Sequence, residues 1–255
     1  MNINAYSSDA EIRKYLKRKK RRRLRIRIAS RLGAMIVIFL MMIYLIVTGI
    51  QAVLIPDTHA ADVESGVDVR GTIFVDAGHG AEDPGAEDMD RVEKYDTLDM
   101  ALAVRKSLRK LGFKVVMSRT EDTWVDRKER ALMANDCKAA LMVSIHRNSA
   151  KSGQGWEMYI PSEDGAEERL LGENIRSCLE DVGITETRGV RAGTLKDPAD
   201  DYSENKYSTM PSVLIECGFL SDAEDNAMFD NKMYDYADAI AQGVSDTYAE
   251  LFESE

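Results

Sequence analysis

Residues 73–87 read IFVDAGHGAEDPGAE. The apolar run Ile73-Phe74-Val75 has the character of a strand. It leads straight into Asp76-Ala77-Gly78-His79-Gly80 and then into an acidic turn built on Asp83-Pro84-Gly85. Glycine on either side of a side chain lets the backbone turn sharply and keeps neighbouring Cβ atoms away. His79 is one of only three histidines in 255 residues. A scarce titratable group framed by glycines at a strand end suits a ligand or catalytic residue better than a packed core position.

Outward from this stretch, strand and helix patterns alternate. Thr72–Ala77, Phe113–Ser118, Ala139–Ile145, Trp156–Ile160 and Ser212–Cys217 are apolar or alternating runs of strand length. Leu98, Ala101, Val104, Leu108 and Leu111 recur at steps of three and four and are followed by Gly112, a helix with a plausible glycine stop. Residues 124–135, 167–181 and 223–252 read as further helices, and the polar stretch 196–209 reads as an exposed loop. Such alternation predicts one α/β domain with helices on both faces of the sheet.

The net charge of −10 conceals a division. The first 32 residues hold twelve Lys and Arg against Asp9 and Glu11, leaving −20 on the remainder. The basic run KYLKRKKRRRLRIR (14–27) could on its own indicate nucleic-acid binding, but residues 32–55 that follow carry no charge at all. As a helix they would span roughly 35 Å, enough to cross a bilayer of about 30 Å. The expected organisation is a basic cytoplasmic segment (1–31), a transmembrane signal-anchor (32–55), a linker (56–70) and a catalytic domain (71–255). The basic flank predicts a single-pass protein of the cell membrane with that domain outside the cytoplasm and no nucleic-acid partner. A cleaved signal peptide is the rival reading; the apolar stretch is longer than the h-region it would need. His59 falls in the linker, and Cys137, Cys178 and Cys217 form neither a zinc-ribbon pattern nor a disulfide framework.

His146 stands where the apolar run of VSIHRNSA gives way to Arg147-Asn148-Ser149, another strand end. In open α/β sheets functional residues gather at the C-terminal ends of strands. His79 and His146 are therefore an acid/base pair, two metal ligands, or unrelated. No GxSxG nucleophile turn is present, whereas carboxylates crowd the sequence after His79. Two histidines and one carboxylate would match the donor set of a catalytic zinc, although composition does not single out the carboxylate. In MPSVLIECGFL (210–220), Glu216 interrupts an apolar strand. A buried carboxylate is costly unless paired or near a cation, so Glu216 is a candidate functional residue.

IFVDAGHGAEDPGA, SRTEDTWVDRKERALMAN, VSIHRNS and MPSVLIECGFLSD, in this order, resemble the zinc-dependent N-acetylmuramoyl-L-alanine amidases of the amidase 3 family. The resemblance implies a twisted, mostly parallel six-stranded sheet flanked by helices. It implies Zn2+ bound by His79, Glu93 and His146, and Glu216 as the catalytic glutamate. Glu93 also stands just ahead of the helical periodicity that begins near Leu98, where it can reach back to the His79 loop. Two departures fall at supporting positions: Thr97-Leu98 where the family has Asn-Leu, and GFLSD, with Asp222, where it has GFLSN. The substrate implied is peptidoglycan, cut between N-acetylmuramic acid and L-alanine. The anchored single-domain layout is similar to that of sporulation-type cortex amidases, and an activator protein is an open partner. A zinc peptidase cutting within the stem peptide and a non-catalytic peptidoglycan-binding regulator are the alternative functions.

Overall fold

The computed structural model describes residues 70–184 and 187–254. They form one α/β domain around a six-stranded sheet of order β4-β1-β5-β8-β6-β7. The strands are β1 (Thr72–Ala77), β4 (Lys114–Met117), β5 (Leu141–Asn148), β6 (Trp156–Ile160), β7 (Thr187–Ala192) and β8 (Ser212–Phe219). A two-stranded ribbon of β2 (Glu87–Asp88) and β3 (Arg91–Val92) lies between β1 and the first helix. Every neighbouring pair in the main sheet is parallel except β6 with β8.

The helices are α1 (Glu93–Lys110), α2 (Arg127–Asp136), α3 (Ala166–Asp181), the short α4 (Ser203–Lys206) and α5 (Ala223–Tyr248), which runs into a π-helical turn over Ala249–Glu253. Alternation along β1 explains how the layers form. Ile73, Val75 and Ala77 join the large core against α1, α3 and α5, whereas Phe74 points to the other face and packs with Ala134, Ala139 and Met142 beneath α2. Both faces are covered, so β1 reads as a continuous apolar run.

Two helix starts are fixed by aspartates. Asp126 caps α2, accepting from the backbone N–H of Lys128 at 2.9 Å. Asp222 caps α5, accepting from Glu224 and Asp225 at 3.0 and 2.9 Å. Asp and Asn are equivalent in this role, so Asp222 replaces the family's asparagine without loss.

The first long helix begins at Glu93, the start expected for it. The structure departs from expectation in three places. The third strand continues through His146 to Asn148 instead of stopping before the histidine. β7 (TRGVRA) has no counterpart in the apolar pattern, because it is a sheet edge with Arg188 and Arg191 exposed. The stretch 196–209 is not simply an exposed loop: it contains α4, whose Glu204 and Asn205 are buried. The Asn205 amide donates to the Tyr159 carbonyl at 2.9 Å and accepts from Ser212 at 3.0 Å, pinning α4 to the sheet. The expected anchor at 32–55 and the segments flanking it before Arg70 lie outside the described residues. Among the described residues no helix is long and apolar enough to cross a membrane. The three cysteines are free.

Candidate active site

At the end of β1 the chain turns through His79, whose φ of 62° lies in the left-handed region. The turn is held from below by two buried arginines. Arg119 donates to the carbonyls of Ala77 and Gly78 at 2.9 and 2.8 Å, and Arg130 to those of Ala77 and His79 at 2.5 and 2.9 Å. Arg130 also meets the buried Asp76 carboxylate at 2.7 Å. Thr97, the first departure from the family pattern, donates its hydroxyl to the Gly78 carbonyl at 2.8 Å and therefore still ties α1 to the turn. Gly78 has no room for a side chain: a Cβ there would lie 2.4 Å from the His146 ring.

His79, Glu93 and His146 converge at this point. Glu93 opens α1, and its Oε1 lies 3.0 Å from His79 Nε2, 3.1 Å from His146 Nδ1 and 3.0 Å from the backbone N–H of Arg147. Its other oxygen accepts from the Ala86 N–H at 2.8 Å. The imidazoles of His79 and His146 meet edge to face with centroids 4.9 Å apart. On its far side His79 Nδ1 meets Asp83 at 2.9 Å; a carboxylate only accepts, so Nδ1–H is the donor there.

Glu216 reaches the same place from β8. The β5–β8 register sets it directly opposite His146, and the ladder then slips before Asn148 pairs with Phe219. Gly218, with a φ of 77°, supplies the conformation this irregularity requires. Glu216 Oε2 is buried and has no hydrogen-bond partner. Burial pushes its carboxyl up to about 8, helped by the charges of Glu93 and Glu157 and opposed by His146 and Arg147. Burial acts the same way on Glu93, but hydrogen bonds and charge from the two histidines prevail and hold it well below the usual carboxylate range. For His146, burial favours the neutral ring; Glu93 outweighs it and raises the imidazolium to about 9.

A divalent cation fits this arrangement. The donor atoms of His79, Glu93 and His146 all lie within 4.8 Å of one another. His146 Nε2, like Glu216 Oε2, is buried without a partner. A second grouping of Asp76, His146 and Glu204 is equally close but is not a competing donor set. Both Asp76 oxygens are already taken, one by Arg130 at 2.7 Å and the other by Ser144 at 2.6 Å.

The four residues singled out in the sequence thus line one cleft of about 680 Å³. Sequence reasoning passed over its supports. Asp83 was visible as one carboxylate among many after His79. Arg119 and Arg130 were present within SRTEDTWVDRKER without a stated role. Arg147, wholly buried, donates to Asp96 at 2.7 Å and Asn226 at 2.8 Å and lies over the Phe229 ring. Glu204, on the stretch expected to be an exposed loop, forms part of the cleft wall.

Residues 73–246 match the family described as N-acetylmuramoyl-L-alanine amidase, amidase 3. The chain belongs to this family. The amidase is 35% identical to N-acetylmuramoyl-L-alanine amidase LytC of Bacillus subtilis over 178 residues, covering 69% of this chain and 34% of LytC. Among solved structures, it is similar to the N-acetylmuramoyl-L-alanine amidase of Clostridium difficile 630, with a TM-score of 0.63 at 30% identity over 72% of this chain and 98% of that one. The CwlD amidase of Clostridioides difficile, solved in complex with the GerS lipoprotein, gives a TM-score of 0.63 at 29% identity, covering 71% and 99%. The chain therefore spans about a third of LytC but nearly all of the two solved amidase chains. Its activity is hydrolysis of the amide that joins N-acetylmuramic acid to L-alanine in peptidoglycan.

Proposed function

We propose that the amidase works with one zinc ion held by His79, Glu93 and His146, and with Glu216 as general base. Two imidazoles and a carboxylate form the donor inventory of a catalytic zinc, with a position left for water or substrate. When bound, the ion would polarise the scissile carbonyl and bring the pKa of water to about 7. Glu216 takes a proton from the attacking water and returns it to the L-alanine nitrogen as the C–N bond breaks. The products are a lactyl carboxylate on the glycan and a free α-amine on the stem peptide. Asp83 keeps His79 in the required tautomer, and the Arg147 N–H steadies Glu93. The single observation that carries this reading is Glu216: a partnerless carboxylate oxygen, buried opposite His146 beside a ready donor set.

The same proposal places the catalytic domain outside the cytoplasm, held by residues 32–55 as a single-pass anchor behind the basic segment. The support is the abrupt change from a basic to an uncharged stretch. Spore-cortex peptidoglycan as the physiological substrate rests on that anchored, single-domain layout. An activating partner on this chain is a further possibility to test, prompted by the complex solved for CwlD.

Mass spectrometry of purified peptidoglycan digested by the protein, with and without a chelator, tests the reading. Stem peptides beginning at L-alanine, together with peptide-free glycan, are expected and should vanish on chelation. Cuts within the stem peptide would replace the amidase reading with a peptidase. A folded protein that binds no zinc and releases nothing would be a regulator, whereas a zinc-loaded but silent protein would require a partner.

A further inference from the structure

Beside the catalytic cleft lies a second groove of about 530 Å³. Arg127 and Ser203 line both, so the two spaces adjoin. The groove also includes Asp83, the residue that holds His79, and therefore begins one side chain away from the proposed zinc donors. Two aromatic residues define it. Trp124 is 51% exposed and Tyr207 is 38% exposed. The ammonium of Lys128 stands over the Tyr207 ring, 4.7 Å from its centroid.

The exposed indole is not on a loose loop. The segment that carries it is clamped to the His79 turn by Asp122, which accepts from the Ala81 N–H at 2.7 Å and pairs with Lys94 at 2.7 Å. The Thr123 carbonyl packs so closely on Gly80 that a Cβ there would lie 2.1 Å away. On the facing wall, Asn135 donates to the Tyr207 carbonyl at 2.8 Å. Trp124 and Tyr207 thus offer aromatic surface on backbone that is fixed close to the His79 turn.

We propose that this groove is a glycan subsite that holds the pyranose rings on the muramoyl side of the scissile amide. The inference rests on the amidase reading of the adjoining cleft. A pyranose presents a C–H face that stacks on an indole or phenol ring, and hydroxyls that bond to Ser203, Asp83 and Lys128 at the edges. The charged side chains that line the groove, Asp83, Asp126, Arg127 and Lys128, balance to zero, which suits a neutral sugar. Each hydrolysis converts a neutral lactyl amide into a carboxylate, and Arg127 lines both the groove and the cleft. An extended stem peptide is the poorer occupant, because the groove walls are a helix turn and loops that offer no strand edge for main-chain pairing.

Tryptophan fluorescence gives a test independent of turnover. The chain has two tryptophans, and Trp156 is only 3% exposed, so a ligand in the groove is reported by Trp124. Full-length protein in detergent is titrated with peptide-free tetrasaccharide of alternating N-acetylglucosamine and N-acetylmuramic acid, and separately with free stem pentapeptide. Saturable quenching by the saccharide, absent in Trp124→Ala, is the expected result. In parallel, Trp124→Ala should raise KM roughly tenfold for glycan-linked substrate with kcat within about twofold of the parent, and should raise KM less for a single muramoyl-peptide unit, which offers only one ring. Trp124→Phe, which keeps an aromatic face, should restore most of the loss in KM. Quenching by the peptide alone would assign the groove to the stem, and no quenching by either ligand in an active enzyme would remove the subsite. If peptidoglycan is not cleaved between muramic acid and L-alanine, the amidase reading fails on its own, and the saccharide titration still decides whether the groove binds glycan.

Discussion

Glu216 was conspicuous in the sequence because a carboxylate is out of place in an apolar strand, and the structure explains what surrounds it. It is paired in register with His146, and one of its oxygens meets no donor. Glu216→Gln preserves the volume and removes only the base. Metal analysis should find the variant still loaded with zinc, while turnover falls by roughly 10²–10⁴-fold. His79→Ala and His146→Ala should instead lose zinc and turnover together. Retention of near-normal turnover in Glu216→Gln would remove it as the base. The glycines around His79 were also legible, since a turn that exposes one side chain needs them. The closeness of Gly78 to His146 was not, because it depends on how β1 and β5 are placed side by side. The two departures from the family pattern prove conservative in physical terms: Thr97 still bonds the turn, and Asp222 still caps its helix.

At the scale of elements, the apolar periodicities located five of the six main strands and all four long helices. What escaped was whatever depends on neighbours. β7 carries arginines and half-exposed residues because it closes the sheet edge, so it left no apolar pattern to read. α4 is too short to show a periodicity, and its buried Glu204 and Asn205 read as surface composition. The contact between β1 and α2 was likewise invisible, because Asp76 and Arg130 are 54 residues apart. Yet Arg130 binds Asp76 together with the carbonyls of Ala77, His79 and Val125, and so carries α2 beneath the His79 turn. Arg130→Met would leave Asp76 charged and unpaired in the interior, a loss of about 3–5 kcal/mol. Urea unfolding should show this as a lower midpoint. Adding Asp76→Asn should recover part of the loss, since the stranded charge disappears.

For the whole molecule, the site makes stability depend on pH when metal is removed. In the fold, burial and neighbouring carboxylates push Glu216 up to about 8 from its ordinary 4.5. Between those values the folded chain holds a proton that the unfolded chain has released. Stability from this group is therefore complete below pH 4.5 and is lost as pH rises towards 8. With chelator present, the urea midpoint attributable to Glu216 should fall from pH 5 to pH 8, and Glu216→Gln should flatten that fall. Saturating zinc should raise the midpoint at pH 8, since a ligand that binds only the folded state stabilises it. A fall of the same size in Glu216→Gln would mean that another group controls it.

Arg70, the first described residue, grips the far end of the chain. Its guanidinium forms a two-pronged bond to Glu253 at 2.8 and 2.8 Å, donates to Ser245 at 2.7 Å and lies over Phe113, while the Tyr248 hydroxyl donates to its carbonyl. All of this lies at the N-terminal end of β1, and the His79 turn follows its C-terminal end, a six-residue strand or roughly 20 Å away. Arg70 thus lies at one pole of the domain and the His79 turn at the other. For an enzyme whose substrate is an insoluble mesh that cannot diffuse to it, this polarity governs access. Attachment through residue 70 leaves the working face free to meet the polymer, so a support coupled there should hold an enzyme that still digests whole sacculi. Coupling through Lys196, which lines the cleft, should leave one that cleaves only soluble fragments.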